Sequence, residues 1–349
     1  MSIETRMEQI RSELNGLGTE SGQVYTNDEV IQRLVDLQAA MAKSVFALRH
    51  AEHFVAKDIM IHFSALAREY GLDECPEFRR LQANMKNLGF TIGSLKKGAY
   101  GERRASEGLR VLTFDPGVKI LYNIALQDGM SKTEYDAIVI TPYGIFVVEA
   151  KNFRGAAYIT NKGMLQRQGD DIPTYNIGEK MNNKEFLLKN CLGEYAQIPY
   201  QGILLYVDES ADLLDDFGQY PIKYCNTVAS YIRQQNAGTD VLTSAQVNEI
   251  AELLLSHSVT LRYPCKVDCE QIKADFASVM SQIEATADEE NENEPIDDKR
   301  DPEVEPLRPS TPEVSQVQAN DDGFWKGTLV GVACLAFCLG TIKLIRIIL

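Results

Sequence analysis

The chain has 349 residues, of which 44% are hydrophobic, so it has room for about two domains with packed cores. These values exclude a collagen, a pure coiled coil and a wholly disordered chain. Lys and Arg number 35 against 50 Asp and Glu, a net charge of -15, which argues against a protein that coats nucleic acid through bulk positive charge. Any contact with nucleic acid must therefore be local.

The N-terminal region, residues 1–95, is predicted to be helical. From Asn27 to Tyr70, apolar residues recur at steps of three and four, as they do along one face of a helix. Thr26 begins a capping sequence and Gly71 supplies a stop, so a hairpin or short bundle is favoured over one long coiled coil. These helices could pack against the same chain, a second copy in a homo-oligomer or a partner protein.

Residues 96–284 are predicted to form an α/β domain. A helical segment is followed by three apolar strands, a second helix and a buried strand, which gives the order αβββαβ. A further strand and two helices extend this order. The predicted elements are helix 101–112, strands 118–126, 134–141 and 144–151, helix 178–195, strand 202–207, a strand and a helix within 221–234, and helix 244–256.

Two segments of different character follow the α/β domain. Residues 285–322 hold 13 acidic and three basic residues, a net charge of 3 - 13 = -10, and are predicted to be a disordered linker. Residues 323–349 are predicted to be a C-terminal transmembrane anchor, with a buried or amphipathic helix as the alternative. The 16 uncharged residues 327–342 would span about 24 Å as a helix, and the flanking Lys326 and Lys343 can snorkel.

The main body of the chain is predicted to lie in the cytosol. The N-terminus has no apolar segment typical of a secretory signal. The seven Cys are scattered and odd in number, which does not indicate a disulfide framework. Together with the anchor, this predicts a single-pass membrane protein with a cytoplasmic body.

One hairpin of the predicted α/β domain carries the strongest chemical signal. The sequence Thr141-Pro142-Tyr143-Gly144 favours a tight turn, which would set Asp136 opposite Glu149. Lys151 lies two residues further along the same face. Facing carboxylates about 5 Å apart repel each other unless something offsets their charge. A divalent cation would do so.

These residue types suit metal-assisted hydrolysis of a phosphodiester. Asp136 and Glu149 would be hard oxygen ligands for Mg²⁺, with Mn²⁺ as a substitute. Lys151 would position the attacking water or meet the developing charge, and Glu102 could add a further carboxylate. The alternative is that Glu134 and Lys151 form a surface ion pair while Asp136 and Glu149 are solvated at the strand ends.

The segments Gly98–Glu102 and Glu134–Asn152, together with Gly155, resemble the nuclease-related domain (NERD) family, a branch of the PD-(D/E)xK nuclease superfamily. The resemblance covers roughly Lys96–Asp208. It implies a restriction-endonuclease-like core and a nuclease that acts on DNA or, as a second choice, RNA. By this resemblance, the active-site positions are occupied by Glu102, Asp136, Glu149 and Lys151, with Asp136, Glu149 and Glu102 as the metal ligands.

The chain departs from such domains in the second core helix. They often carry Asn-Pro-x-x-Gln there, whereas Asn182-Asn183-Lys184-Glu185-Phe186 lacks both the Pro and the Gln. This departure and the net negative charge favour the alternative function, a catalytically inactive scaffold that binds protein or nucleic acid at a membrane through its N-terminal helices. The intact Asp136, Glu149 and Lys151 favour the nuclease.

The remaining candidates carry weaker signals. His50 and His53 could hold zinc, but a third ligand is missing from their neighbourhood in sequence. Cys265 and Cys269 have neither zinc-knuckle spacing nor a second pair, which favours free thiols. Cations near the candidate site could contact phosphates; they are Lys96, Lys97, Arg103, Arg104 and Arg154.

Overall fold

The computed structural model of the protein describes residues 2–49, 55–153, 155–173, 175–210, 212–238 and 240–293, with side chains described up to residue 288. These residues belong to one compact unit, Met1–Glu294. The predicted anchor, most of the predicted linker, and His50, His53 and Arg154 lie outside them. Of the helices in these ranges, none is long and apolar enough to cross a membrane.

Helices precede, flank and follow a set of strands in the described part of the chain. The helices are α1 Ile3–Glu13, α2 Asn27–Leu48, α3 Ile59–Glu69, α4 Pro76–Leu109, α5 Ile177–Leu192, α6 Val228–Gln234, α7 Ser244–Ser256 and α8 Cys269–Asn293. The strands are β1 Val24–Tyr25, β2 Lys119–Asp128, β3 Ser131–Thr141, β4 Gly144–Lys151, β5 Ala157–Ile159, β6 Met164–Arg167, β7 Tyr175–Asn176, β8 Tyr200–Tyr206, β9 Leu213–Asp215, β10 Ile222–Tyr224, β11 Ser258–Val259 and β12 Tyr263–Pro264.

The N-terminal helices form a bundle with the last described helix of the same chain. α1, α2, α3, the first half of α4 and α8 share one hydrophobic core, in which Leu37, Phe63 and Phe276 are fully buried. The predicted cap of α2 is confirmed as a capping box between Thr26 and Glu29. The predicted helical bundle therefore forms, and the chain itself supplies its packing partner.

Helix α8 lies outside the sequence-based assignment of elements. Its apolar face packs among the N-terminal helices, whereas the predicted domain boundary placed residues up to 284 with the α/β domain. A bidentate ion pair between Arg80 on α4 and the buried Asp275 on α8 joins the two helices. α8 runs on to Asn293 because no proline interrupts it before Pro295, so the first nine residues of the predicted linker are helical.

The α/β domain is a sheet covered by helices on both faces. Its six strands have the order β10-β8-β4-β3-β2-β11, with β4, β8 and β10 mutually parallel and the remaining neighbours antiparallel. α5 and α7 cover one face, and the end of α4 and α6 cover the other. The end of α4, β2, β3, β4, α5 and β8 follow one another in the predicted αβββαβ order, with β5–β7 of a separate four-stranded sheet inserted between β4 and α5. The mixed α/β fold is therefore confirmed.

Helix α4 connects the bundle to the sheet. Its first half places Leu81 and Leu88 in the core of the bundle, and its last turns place Ala105 and Leu109 in the core under the sheet. With 34 residues it is about 51 Å long. The helix predicted over 101–112 is therefore only the end of a much longer one, and Glu102 lies on a segment that both cores hold in place.

Candidate active site

The hairpin of β3 and β4 has the predicted register near its turn and a different arrangement further away. Residues pair from the turn as far as Ala137 opposite Val148. Beyond that pair the strands separate: β3 continues alongside β2, and Glu149–Lys151 continue alongside β8. The prediction that Asp136 pairs directly with Glu149 across the hairpin is therefore wrong.

The separation coincides with a distortion shared by β2 and β3. Asn123, which the register would place opposite Asp136, has a φ of 47°, in the left-handed region that Asn tolerates better than most residues. The alternation of side chains along β3 is interrupted at the same place. Tyr135 and Ile138 both face the core under α5, whereas Ala137 faces the opposite core. β3 and β4 consequently separate at Asp136.

Asp136 reconnects the separated strands through its side chain. Its Oδ2 accepts a hydrogen bond of 2.6 Å from the backbone N–H of Ala150. Burial raises the pKa of Asp136, the charge of Glu149 raises it further, and Lys184 acts in the opposite direction. Asp136 and Glu149 are therefore electrostatic neighbours, although the contact that holds Asp136 is to the backbone.

Glu149 is buried under α5 and accepts hydrogen bonds from three lysines. The Nζ atoms of Lys151 and Lys180 lie 2.6 and 2.7 Å from Oε1, and Lys184 donates to Oε2. The side chain of Glu149 is 2% exposed and that of Lys184 is completely buried. The Tyr175 hydroxyl accepts a further hydrogen bond of 3.2 Å from Lys151. We refer to Lys151, Lys180 and Lys184 as the lysine cluster.

The lysine cluster supplies the positive charge that the sequence predicted a metal would bring. Burial alone would raise the pKa of the Glu149 carboxyl, but Lys184, then Lys151 and Lys180, outweigh burial and hold that pKa well below its usual range. Glu149 in turn raises the pKa of Lys180 against the effect of burial. Glu149 and Lys180 therefore stabilise each other's charged form, and the repulsion between Glu149 and Asp136 is offset by the neighbouring lysines.

Glu102 approaches the site from α4 as a carboxyl of a different kind. From the described residues, its carboxyl receives neither a hydrogen bond nor an ion pair. Burial, followed by the charges of Asp136 and Glu134, raises the pKa of Glu102 to about 7. The helix comes this close because Gly101 has no side chain: a Cβ there would lie 2.8 Å from the Cβ of Asn152.

Two grooves flank the lysine cluster. One of about 670 Å³ lies beside α4 and is lined by Lys96, Lys97, Tyr100, Asn152, Phe153, Arg167, Gln168 and Asp170. The other, of about 700 Å³, lies beside α5 and includes Tyr175, Lys180 and Phe186. Lys151 connects the two grooves. It immediately precedes Asn152, which lines the first groove, and it contacts Tyr175, which lines the second.

The other predicted phosphate contacts have mixed positions. Arg103 lies over the ring of Tyr100, with its guanidinium carbon 5.3 Å from the ring centroid. Arg104 donates a 2.7 Å hydrogen bond to Glu107 on the same helix.

Cys265 and Cys269 are free thiols, as the sequence predicted.

The predicted surface ion pair between Glu134 and Lys151 is not what the structure contains. Lys151 instead donates to Glu149 and Tyr175, and Glu149 is buried. The alternative in which Glu149 is solvated at a strand end is therefore wrong. Across the described residues, no group of three or more His, Cys, Asp or Glu side chains is arranged to hold a metal ion, so the three predicted carboxylates do not form a preassembled cage.

Sequence reasoning missed the contributions of Lys180 and Lys184. The signal for Lys184 was present: Ile177, Met181, Leu188 and Cys191 follow the spacing of one buried helix face, and Lys184 occupies the remaining position of that face. A lysine on the apolar stripe of a helix has to find a buried counter-ion. Lys180 lies one turn before Lys184 and reaches the same carboxylate.

The structure shows where the second core helix begins, which is where the Asn-Pro-x-x-Gln motif was expected. Asn followed by Pro is typical of a helix start, with Asn as the N-cap and Pro as the first helical residue. The N-cap of α5 is Asn176, whose side chain accepts a 2.9 Å hydrogen bond from the N–H of Glu179. The second core helix therefore begins with an Asn cap at Asn176, but Asn176-Ile177-Gly178-Glu179-Lys180 carries neither the Pro nor the Gln, so the departure found at Asn182 also holds for the helix start.

Comparison with known families agrees with this geometry. Residues 97–207 match the family model of the nuclease-related domain. The resemblance found over Lys96–Asp208 is thereby confirmed, and membership of the PD-(D/E)xK superfamily is consistent with it. No curated protein and no solved structure gives a significant match to the chain. The matched residues carry Glu102, Asp136, the lysine cluster and Glu149.

Removing the charge of Glu149 should destabilise this nuclease-related domain. Glu149→Gln leaves the buried ammonium of Lys184 without its counter-ion, and we expect a loss of about 3–5 kcal/mol in the free energy of unfolding. Adding Lys184→Met removes the uncompensated charge, so the double variant should recover most of that loss. Urea denaturation followed by circular dichroism measures both. Glu185→Gln, which breaks only the partly exposed pair with Lys189, is the matched control; equal stability of Glu149→Gln and wild type would contradict the prediction.

Glu102 should make stability depend on pH. Its pKa in the folded protein, about 7, is above the ordinary value of 4.5, so the stabilisation is complete below pH 4.5 and is lost as the pH rises through 7. Glu102→Gln does not titrate. The melting temperature of this variant relative to wild type should therefore rise between pH 5 and 8, by about 2–5 °C, in calorimetry without divalent cations. The exposed Glu107→Gln on the same helix is the control, and a pH-independent difference for Glu102→Gln would argue against the assignment.

Proposed function

We propose that the protein is a metal-dependent phosphodiesterase that cleaves nucleic acid, with DNA favoured over RNA. The observation that carries this proposal is the convergence of Asp136, Glu149 and Lys151 where β3 and β4 separate, within residues that match a nuclease-related domain. Glu102 on α4 is close enough to Asp136 for their charges to interact. The residue types are those that hydrolysis of a phosphodiester requires.

The three carboxylates differ in how many of their oxygens remain available to bind a divalent cation. Both oxygens of Glu149 already accept hydrogen bonds from lysines. Asp136 has one oxygen engaged with Ala150, and Glu102 is a partly buried carboxyl whose pKa is raised by burial and then by its acidic neighbours. Mg²⁺ is commonly bound by one or two carboxylates together with substrate phosphates, and Asp136 with Glu102 fits that pattern. The ion, when bound, would polarise the phosphate and lower the pKa of a water molecule.

The residues of the chain supply the remaining requirements. Lys151 is held by Glu149 and by Tyr175, with its Nζ 4.4 Å from the centroid of the Tyr175 ring, so its ammonium group is fixed in position. A fixed positive charge of this kind stabilises negative charge that develops on a phosphate in the transition state. The groove beside α4 offers Lys96 and Lys97 for the phosphate backbone and the half-exposed ring of Tyr100 for stacking with a base.

The second candidate function is a non-catalytic scaffold with a nuclease fold. The observation that favours it is the lysine cluster, because both oxygens of Glu149 already have charged partners before any metal binds. In this function the N-terminal bundle and the grooves beside α4 and α5 would contact a partner protein or nucleic acid. A second copy of the chain is another candidate partner for the bundle.

A cleavage assay distinguishes the two functions. Wild-type protein incubated with single-stranded or duplex substrate should cut in the presence of Mg²⁺ or Mn²⁺ and not in EDTA. Asp136→Asn and Lys151→Met should each lower the rate by at least about 100-fold, since each removes a ligand or a charge stabiliser. Glu102→Gln should lower it by about tenfold because Asp136 is retained.

The control for this assay is Glu107→Gln, an exposed substitution on the same helix as Glu102, which should cut like wild type. Absence of cleavage of DNA and of RNA by wild type with either metal would overturn the nuclease and leave the scaffold. Equal rates for wild type and Asp136→Asn would show that the cleavage arises elsewhere.

We further propose that the uncharged run at residues 327–342 tethers the protein to a membrane, with its main body in the cytoplasm. Full-length protein should then sediment with membranes, whereas a chain that ends at Asn293, the last residue of α8, should stay in the soluble fraction. Fractionation by ultracentrifugation measures this difference. Recovery of full-length protein in the soluble fraction without detergent would contradict the tether.

A further inference from the structure

Lys180 differs from the other members of the lysine cluster in its access to solvent. Its side chain is 38% exposed, against 14% for Lys151 and complete burial for Lys184. It also lines the open groove beside α5, and its Nζ lies 5.5 Å from the centroid of the Tyr175 ring. Lys180 can therefore leave Glu149 by rotating its side chain toward the groove, whereas Lys184 cannot move without opening the core.

A metal ion held by Asp136 and Glu102 cannot take Glu149 as a further ligand while Lys180 is in place. Oε1 accepts hydrogen bonds from both Lys151 and Lys180, and Oε2 accepts one from the buried Lys184. A divalent cation that approached Oε1 would meet two ammonium groups at the same atom. Release of Lys180 removes one of these repulsive charges and frees a lone pair on Oε1.

The charges of the site show what could draw Lys180 away. The lysine cluster contributes three positive charges, and the carboxyl groups of Asp136, Glu149 and Glu102 contribute at most three negative charges, so the site is neutral or slightly positive before a metal binds. A divalent cation alone would leave it with an excess of at least two positive charges. A phosphodiester brings one negative charge, and lysine ammonium groups bind phosphate oxygens well. Metal and phosphodiester therefore each reduce the electrostatic cost of binding the other.

We propose that Lys180 is an exchangeable counter-ion, which neutralises Glu149 in the free protein and transfers to a backbone phosphate of bound nucleic acid. This proposal rests on the proposed function, because it assumes that a phosphodiester and a divalent cation share the site. Its consequence is cooperative binding: the free protein binds the cation weakly, and the nucleic acid strengthens that binding. By thermodynamic reciprocity the cation strengthens nucleic-acid binding by the same factor.

The test measures binding and does not depend on cleavage. Mn²⁺ binding to full-length protein in detergent is followed by the electron paramagnetic resonance signal of free Mn²⁺, with and without a 12-nucleotide DNA strand. Mn²⁺ bound by the strand itself is subtracted from a titration without protein. A strand with uncharged methylphosphonate linkages serves as the matched ligand control. The phosphodiester strand should tighten Mn²⁺ binding by about tenfold, and the methylphosphonate strand should not.

Variants of Lys180 assign this coupling to one side chain. Lys180→Gln should bind Mn²⁺ more tightly than wild type in the absence of DNA and should lose most of the tenfold effect of the strand. Lys180→Arg keeps the positive charge and should keep the coupling. Lys189→Gln, a partly exposed lysine on the same helix that pairs with Glu185, should behave like wild type. Thermal melting of each variant shows that it is folded.

The outcomes separate this inference from the proposed function. Equal Mn²⁺ affinity and equal coupling in Lys180→Gln and wild type would overturn the role of Lys180, as would the absence of coupling in wild type. Coupling without any cleavage would support the exchange and overturn the nuclease. Cleavage without coupling would support the nuclease and overturn the exchange.

Discussion

The burial of the Glu149 carboxylate is the constraint on which the rest of the site depends. A charge removed from water costs several kcal/mol unless it is paired and hydrogen-bonded, and Glu149 satisfies this condition through lysines from two elements, with a further hydrogen bond of 3.5 Å from the Tyr175 hydroxyl. Lys151 comes from the same strand, whereas Lys180 and Lys184 come from α5. The ion cluster therefore holds α5 against the part of the sheet where the hairpin opens. The same ion pairs therefore stabilise the fold and set the charge of the site.

The sequence predicts the features of this site that are determined locally and misses those determined at long range. The hairpin turn and the strands on either side follow from Pro142, Gly144 and the alternation of apolar residues. The opening of the strands at Asp136 was not predictable in the same way, because it coincides with a distortion at Asn123 on another strand, and the site is completed by a helix that begins 177 - 136 = 41 residues downstream. The packing of α8 into the N-terminal bundle is likewise a long-range contact that local periodicity does not reveal.

The lysine cluster also changes which residues best distinguish an enzyme from a scaffold. Glu149 is ion-paired with Lys151 and Lys184, so the loss of any one of these residues alone would destabilise even a protein without catalytic activity. Glu102 is different, because its ionisation in a partly buried, acidic environment is unfavourable. A residue whose ionised form opposes folding and whose charge interacts with that of Asp136 fits the proposed catalytic role better than a purely structural one.

The long helix α4 has a consequence for how the domain should be regarded. The family match begins at residue 97, in the middle of a helix that starts at Pro76 and whose first half is part of the bundle core. A fragment that begins at that residue would keep the segment with Glu102 but lose the first half of α4 and the bundle, which hold that segment in position. The first half of α4 is fixed in the bundle, and Glu102 lies on its second half. A ligand that tilts the bundle would therefore shift Glu102 relative to Asp136 without contacting the sheet.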